Sequence, residues 1–135
     1  MGLAPEEDLV AIINSNVAWA TSGTNLFYGP VRPGDTTNYP VRAVFVMPSG
    51  GVAPEAFLGQ SYAMRRSSLQ IRTRGVARDF NAALADARAI RDVVHYASDS
   101  DYLDFRVQQS EPIYLGPDEA GNHEFSINVE AQFRE

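Results

Sequence analysis

The 135-residue sequence contains no cysteine and no lysine, and only two histidines. Without cysteine there is no disulfide, no thiolate metal site and no cysteine nucleophile. That suits a reducing compartment, although disulfide-free proteins work anywhere. Without lysine there is no G-x-x-x-x-G-K-[ST] phosphate loop, so the glycine pair in Pro48-Ser-Gly-Gly51 belongs to no such motif. The dinucleotide fingerprint G-x-G-x-x-G is also absent. No apolar run approaches the roughly 20 residues that cross a bilayer, so no membrane partner is expected. The amino terminus, Met1-Gly-Leu-Ala-Pro-Glu-Glu-Asp8, is acidic where a secretory signal is basic. It also lacks the Ser or Thr at the sixth position that a myristoylation signal carries.

What is present is ordinary in bulk and unusual in detail. The chain is 44% hydrophobic and 21% charged, as expected of a soluble globular protein. Its length fits one domain, residues 1–135, with a usable core. All 11 basic residues are arginine, set against 17 carboxylates for a net charge of −6. A duplex binder carries a basic face, so sequence-specific nucleic-acid binding is disfavoured. Arginine suits planar, bidentate pairing at interfaces. A GC-rich genome that writes arginine for lysine is the simpler explanation.

Pro5-Glu-Glu-Asp8 reads as a helix start, with proline and acids in the first turn. Leu9, Ile12, Ile13 and Asn16 follow at helical spacing, and the helix is expected to stop near Asn14–Asn16. Leu26-Phe-Tyr28 makes a short strand in a stretch otherwise rich in turn formers. Val41–Met47 reads as a strand apolar on both faces apart from Arg42, which suits a central strand covered on both sides. Pro48–Arg66 reads as a long connection. Ser68–Arg74 alternates, with Leu69, Ile71 and Thr73 on one face.

Asp79–Ala97 is the clearest helix. Asp79 can cap it, and Phe80, Ala83, Leu84, Ala87, Ile90 and Val94 form its apolar stripe. Arg91 falls beside that stripe and needs a carboxylate partner or an exit to solvent. Phe105 and Val107 then face one way, with Arg106 and Gln108 the other. Pro112-Ile-Tyr-Leu-Gly116 gives a short strand. In Glu124–Phe133 the residues Phe125, Ile127, Val129, Ala131 and Phe133 point inward, and the polar residues between them point outward. The pattern implies an α+β fold: a mostly antiparallel sheet with two helices packed on one face.

Gly116–Glu124 holds Asp118, Glu119, His123 and Glu124, donors that a hard or borderline cation accepts. No spaced metal signature surrounds them, and strands flank the segment. A hairpin turn with Gly121-Asn122 at the bend is the stronger reading, so neither metal nor cofactor is expected. His95, in a last helical turn, suits a structural role beside the helix dipole. No nucleophile elbow accompanies either histidine. Arg65, Arg66, Arg72 and Arg74 concentrate positive charge. They suit phosphate, an acidic neighbouring subunit, or a solvated sheet face. Phe57, Leu58, Tyr62 and Met64 place four large apolar side chains in a Gly/Ser/Pro-rich stretch. This is either an interface core or a loop folded back on its own domain.

Taken in order, "GTNLFYGPVRP", "VRAVFVMPSGGVAPEAF", "SLQIRTRG", "NAALADARAIRDVV" and "EPIYLGPDEAGNHEFSINVEAQF" resemble the minor capsid or tail terminator proteins of long-tailed bacteriophages. The resemblance spans about Gly23 to Phe133. It implies a sheet with two flanking helices and no active site. It further implies a hexameric ring at the head-proximal end of the tail, in the virion tail or neck and assembled in the host cytoplasm. The implied partners are other copies of the chain, the tail tube protein and the head connector or stopper protein, with DNA only as cargo through the lumen. An acidic lumen would repel DNA phosphates and let the genome slide. In that setting Asp118 and Glu119 become contacts to arginines of a neighbour or of the tube. Two other readings stay open: another neck or head-completion protein, and a small metal-dependent enzyme or ligand-binding domain.

Overall fold

The computed structural model describes residues 5–21, 25–28, 42–51, 55–56, 63–75, 79–95, 97, 102–117 and 121–134; at 6, 51, 55–56, 63–65, 102–103 and 133–134 it describes the backbone alone. In chain order the elements are α1 (Pro5–Asn16), β1 (Leu26–Tyr28), β2 (Ala43–Gly51), β3 (Glu55–Ala56), β4 (Ala63–Arg74), α2 (Phe80–Val94), β5 (Tyr102–Val107), β6 (Ile113–Pro117) and β7 (His123–Arg134). The strands form one sheet in the order β1-β2-β4-β7-β5, with β3 beside β4 and β6 beside β7. Only β1 runs parallel to its neighbour. The expected α+β architecture is present, with both helices on one face of the sheet.

The long ladder between β4 and β7, from Met64↔Arg134 to Arg74↔Glu124, is the spine of the sheet. Its helix-facing residues are apolar and buried: Leu69 and Ile71 from β4, and Phe125, Ile127, Val129 and Ala131 from β7. Leu9, Val10 and Ile13 of α1 and Ile90 and Val94 of α2 close over these, apart from Phe125, which packs with Ala83 and Ala87 of α2. The two periodicities, 2 for the strands and 3.6 for the helices, thus bring apolar faces together. Asp79 caps α2 by accepting a hydrogen bond from the Ala82 N–H at 3.0 Å. Gly75 follows β4 against the backbone of α2; a Cβ there would meet the Ala83 Cβ at 2.2 Å.

Three expectations need correction. Pro48–Arg66 is not one long connection: Pro48–Gly51 continues β2, Glu55–Ala56 is β3, and β4 begins at Ala63. A register shift between Pro48 and Gly51 lets Pro and Gly sit in the strand, and Gly50 has φ +87. The strand expected at Val41–Met47 is not covered on both sides. Val44 and Val46 are fully buried under the helices, but Phe45 and Met47 on the other face are half-buried. Ser126, expected outward and polar, is 2% exposed.

Candidate functional site

Directly opposed residues of neighbouring strands share a face of the sheet. The face away from the helices can therefore be read across the strands. Phe27 pairs with Phe45, Phe45 with Arg72, Arg72 with Ser126, and Ser126 with Ile113. This row starts with two stacked phenyl rings, Phe27 and Phe45, 5.7 Å apart at 19°. It continues through an exposed Arg72 to a buried Ser126 and ends at Ile113, 39% exposed. No helix of the described residues covers this face. Large apolar groups beside an exposed arginine have the composition of an interface core.

The charges on this open face are sorted by strand. β4 contributes Arg66, Arg72 and Arg74, and β5 contributes Arg106. Facing them are Glu124 and Glu130 of β7 and Asp104 of β5. Arg74 lies opposite Glu124, and Arg106 opposite Glu130. Arg106 Nε also donates to Asp104 Oδ2 at 3.0 Å. Among the described side chains, four arginines against three carboxylates leave one surplus positive charge on this face. On the helix side, Glu7, Asp8, Asp79, Asp86 and Asp92 outnumber Arg42, Arg88 and Arg91.

Of the candidate contacts read from sequence, Arg66, Arg72 and Arg74 lie along one central strand, β4, on the open face. Met64 and Arg65 are described in backbone only, paired with Arg134 and Phe133. Phe57, Leu58, Tyr62, Asp118 and Glu119 lie outside the described residues. The hairpin expected around Gly121 is present as β6 and β7, and Gly121 has the positive φ (88°) that the bend demands. His123, once a candidate metal ligand, instead shares a hydrogen bond of 2.8 Å with Tyr114 Oη through Nδ1. It also meets Phe80 edge-on at 5.4 Å. Glu124 lies across from Arg74. Among the described residues no three His, Asp or Glu side chains gather as a metal site. His95 ends α2, its Nδ1 accepting the Val107 N–H at 3.1 Å.

Two features escaped the sequence reading. Arg42 and Asp86 form a two-pronged ion pair, with Arg42 lying over the Trp19 ring at 4.1 Å. The signal was available: each is a lone charge on an otherwise apolar strand or helix stripe. The second is the edge strand β6, where Ile113, Tyr114 and Leu115 are 39%, 45% and 42% exposed in succession, next to Phe80 at 40%. Arg91 does find carboxylates, at Glu111 (3.1 Å) and Asp92 (3.0 Å). Glu111 also receives a hydrogen bond from Arg88 at 3.0 Å. That bond is the main cause that holds its carboxyl below the usual glutamate range; desolvation opposes it, and the charges of Arg88 and Arg91 reinforce it.

A comparison with curated proteins finds no match. Among solved structures, one chain from the virion of a native gene transfer agent particle shares the fold. The TM-score is 0.56 at 17% identity, over 94% of this chain and 84% of that one. The family model described as bacteriophage tail terminator protein matches residues 16–135, from the end of α1 through β7. The chain belongs to the bacteriophage tail terminator family.

Proposed function

We propose that this chain is a structural, non-catalytic subunit of a phage-type tail. Several copies, six in the simplest case, form a ring at the head-proximal end of the tail. The ring ends growth of the tail tube and offers the surface to which the head connector or stopper protein binds. The single observation that carries this reading is the family match over residues 16–135. Two features support it. The fold is shared with a chain of a virion particle. An open sheet face presents paired phenylalanines beside Arg72, as interface cores do.

DNA in this reading is cargo, and the surplus of 17 carboxylates over 11 arginines keeps the lumen from holding it. The contacts to neighbours and tube draw on Phe57, Leu58, Tyr62 and Met64, on Arg65, Arg66, Arg72 and Arg74, and on Asp118 and Glu119 at the hairpin. The decisive experiment is electron microscopy of particles assembled without this protein. Overlong tails are expected. Tails of normal length on heads that leak DNA would overturn the terminator role and assign the chain to head completion. Reversing Asp118→Arg with Glu119→Arg tests the hairpin separately, because tail joining unchanged in that variant leaves it as a turn.

A further inference from the structure

The open face of the sheet and the helix layer of the same chain differ in charge. Among the described side chains, the open face carries one surplus positive charge, whereas on the helix side carboxylates outnumber arginines. The open face also carries the apolar groups that a contact would bury, at both ends of the row through Arg72. The helix layer opposite is acidic, and α1 holds no basic residue at all. Two open faces brought together would set surplus arginines against each other. An open face set on a helix layer pairs opposite signs.

We infer that the open sheet face of one copy seats on the acidic helix layer of a second copy, with Arg72 at the centre of the contact. This rests on the ring reading and specifies the contact within it. Because the two surfaces differ, the interface is heterologous and leaves each pair with one unused surface at either end. Repetition of that contact builds a ring when the rotation closes. Arg72 is exposed and sits in the cross-strand row between Phe45 and Ser126, so a contact there buries the guanidinium between the phenyl pair on one side and the strand carrying Ile113 on the other. Aromatic groups and arginine near the centre of a patch are where binding energy concentrates.

The test uses two variants of the whole chain, each checked for fold by circular dichroism. The first, Arg72→Glu, disables the sheet face and leaves the helix layer intact. The second, Glu7→Arg with Asp92→Arg, disables the helix layer and leaves the sheet face intact. Native mass spectrometry and light scattering, with and without the tail tube protein, report assembly. Each variant alone is expected to stay monomeric. Mixed one to one, they are expected to assemble again, because the reversed sheet face of the first meets opposite charge on the reversed helix layer of the second, while the two unchanged surfaces pair as in the parent. Assembly that survives either reversal overturns the contact while leaving the ring reading in place. So does a homodimer of the second variant alone, or a mixture that stays monomeric. A wild-type chain that stays monomeric even with tail tube protein overturns the ring reading and this contact with it. If Arg72→Glu disturbs the fold, Arg72→Gln removes the charge without reversing it and is expected to weaken assembly in the same direction.

Discussion

Arg42 and Asp86, 44 positions apart, hold the start of β2 to the middle of α2. Arg42 Nε donates to Asp86 Oδ2 at 2.7 Å and Nη2 to Oδ1 at 2.6 Å. The guanidinium lies 4.1 Å over Trp19, so one side chain joins the segment after α1, the sheet and α2. The Asp86 side chain is 11% exposed and that of Arg42 37%. Removing the carboxylate costs its two charge-assisted bonds, while the arginine regains water on its open side. Asp86→Ala is therefore expected to lower stability by about 1–3 kcal/mol, read from urea unfolding. Arg42→Lys is expected to recover little, because an ammonium neither forks onto a carboxylate nor stacks on an indole in the same way.

Gly75 sets how closely β4 and α2 approach. A Cβ at this position would lie 2.2 Å from the Ala83 Cβ and 2.5 Å from its Cα, so backbone must move and no flexible side chain can yield. Gly75→Ala is expected to destabilise by about 1–3 kcal/mol, as overpacking does. Gly50→Ala is the contrasting case. Nothing lies within 4 Å of its Cβ, but φ is +87°. Its cost is expected to be about 1–2 kcal/mol from the backbone alone. Combining Gly75→Ala with Ala83→Gly is expected to restore little in the first case, because the Ala83 Cα still lies 2.5 Å from the added Cβ, and thermal unfolding of the three variants checks it.

Much of this architecture was legible because local pattern and tertiary role agree. The bounds of α1, the cap and stripe of α2, and the alternation in β4 and β7 follow from spacing alone. The misread elements are those where local chemistry conflicts with tertiary role. Pro48-Ser-Gly-Gly51 carries turn formers, yet pairing with β4 through a register shift keeps it in β2. Phe80 belongs to the apolar stripe, yet it sits at the first turn of α2 and packs on Tyr114, His123 and Phe125 rather than in the main core. For the candidate site, the clustering of Arg66, Arg72 and Arg74 was visible as alternation on one strand. Their company with Phe27, Phe45 and Ile113 was not, because it depends on which strands pair and in which register.

Glu111 offers a pH-dependent handle. Its carboxyl is held below the ordinary glutamate value chiefly by the hydrogen bond from Arg88, helped by the charges of Arg88 and Arg91. A depressed folded-state value means the contribution is present above the unfolded value and lost as pH falls through the lowered one. The group is exposed to solvent, so screening keeps the stability effect small. The titration itself is the cleaner readout. In Arg88→Ala, the Glu111 carboxyl is expected to titrate at higher pH than in the parent, followed by carbon-13 NMR. An unchanged titration would mean that Arg91 alone sets it.

The strand β6 is an unusual edge. Ile113, Tyr114 and Leu115 expose large apolar side chains in succession, and only β7 pairs with the strand among the described residues. An edge of this kind invites association unless a partner covers it. Surface changes away from buried features shift stability by about 0.5 kcal/mol or less. Leu115→Lys is therefore expected to leave the unfolding midpoint nearly unchanged. If β6 meets another protein in the tail, the same change should reduce incorporation into particles and lower self-association at high protein concentration. Quantitative electrophoresis of purified particles and light scattering of the free chain give the two readouts. A large drop in the unfolding midpoint would instead show that Leu115 contributes to the fold, and equal incorporation would show that this edge faces solvent in the particle.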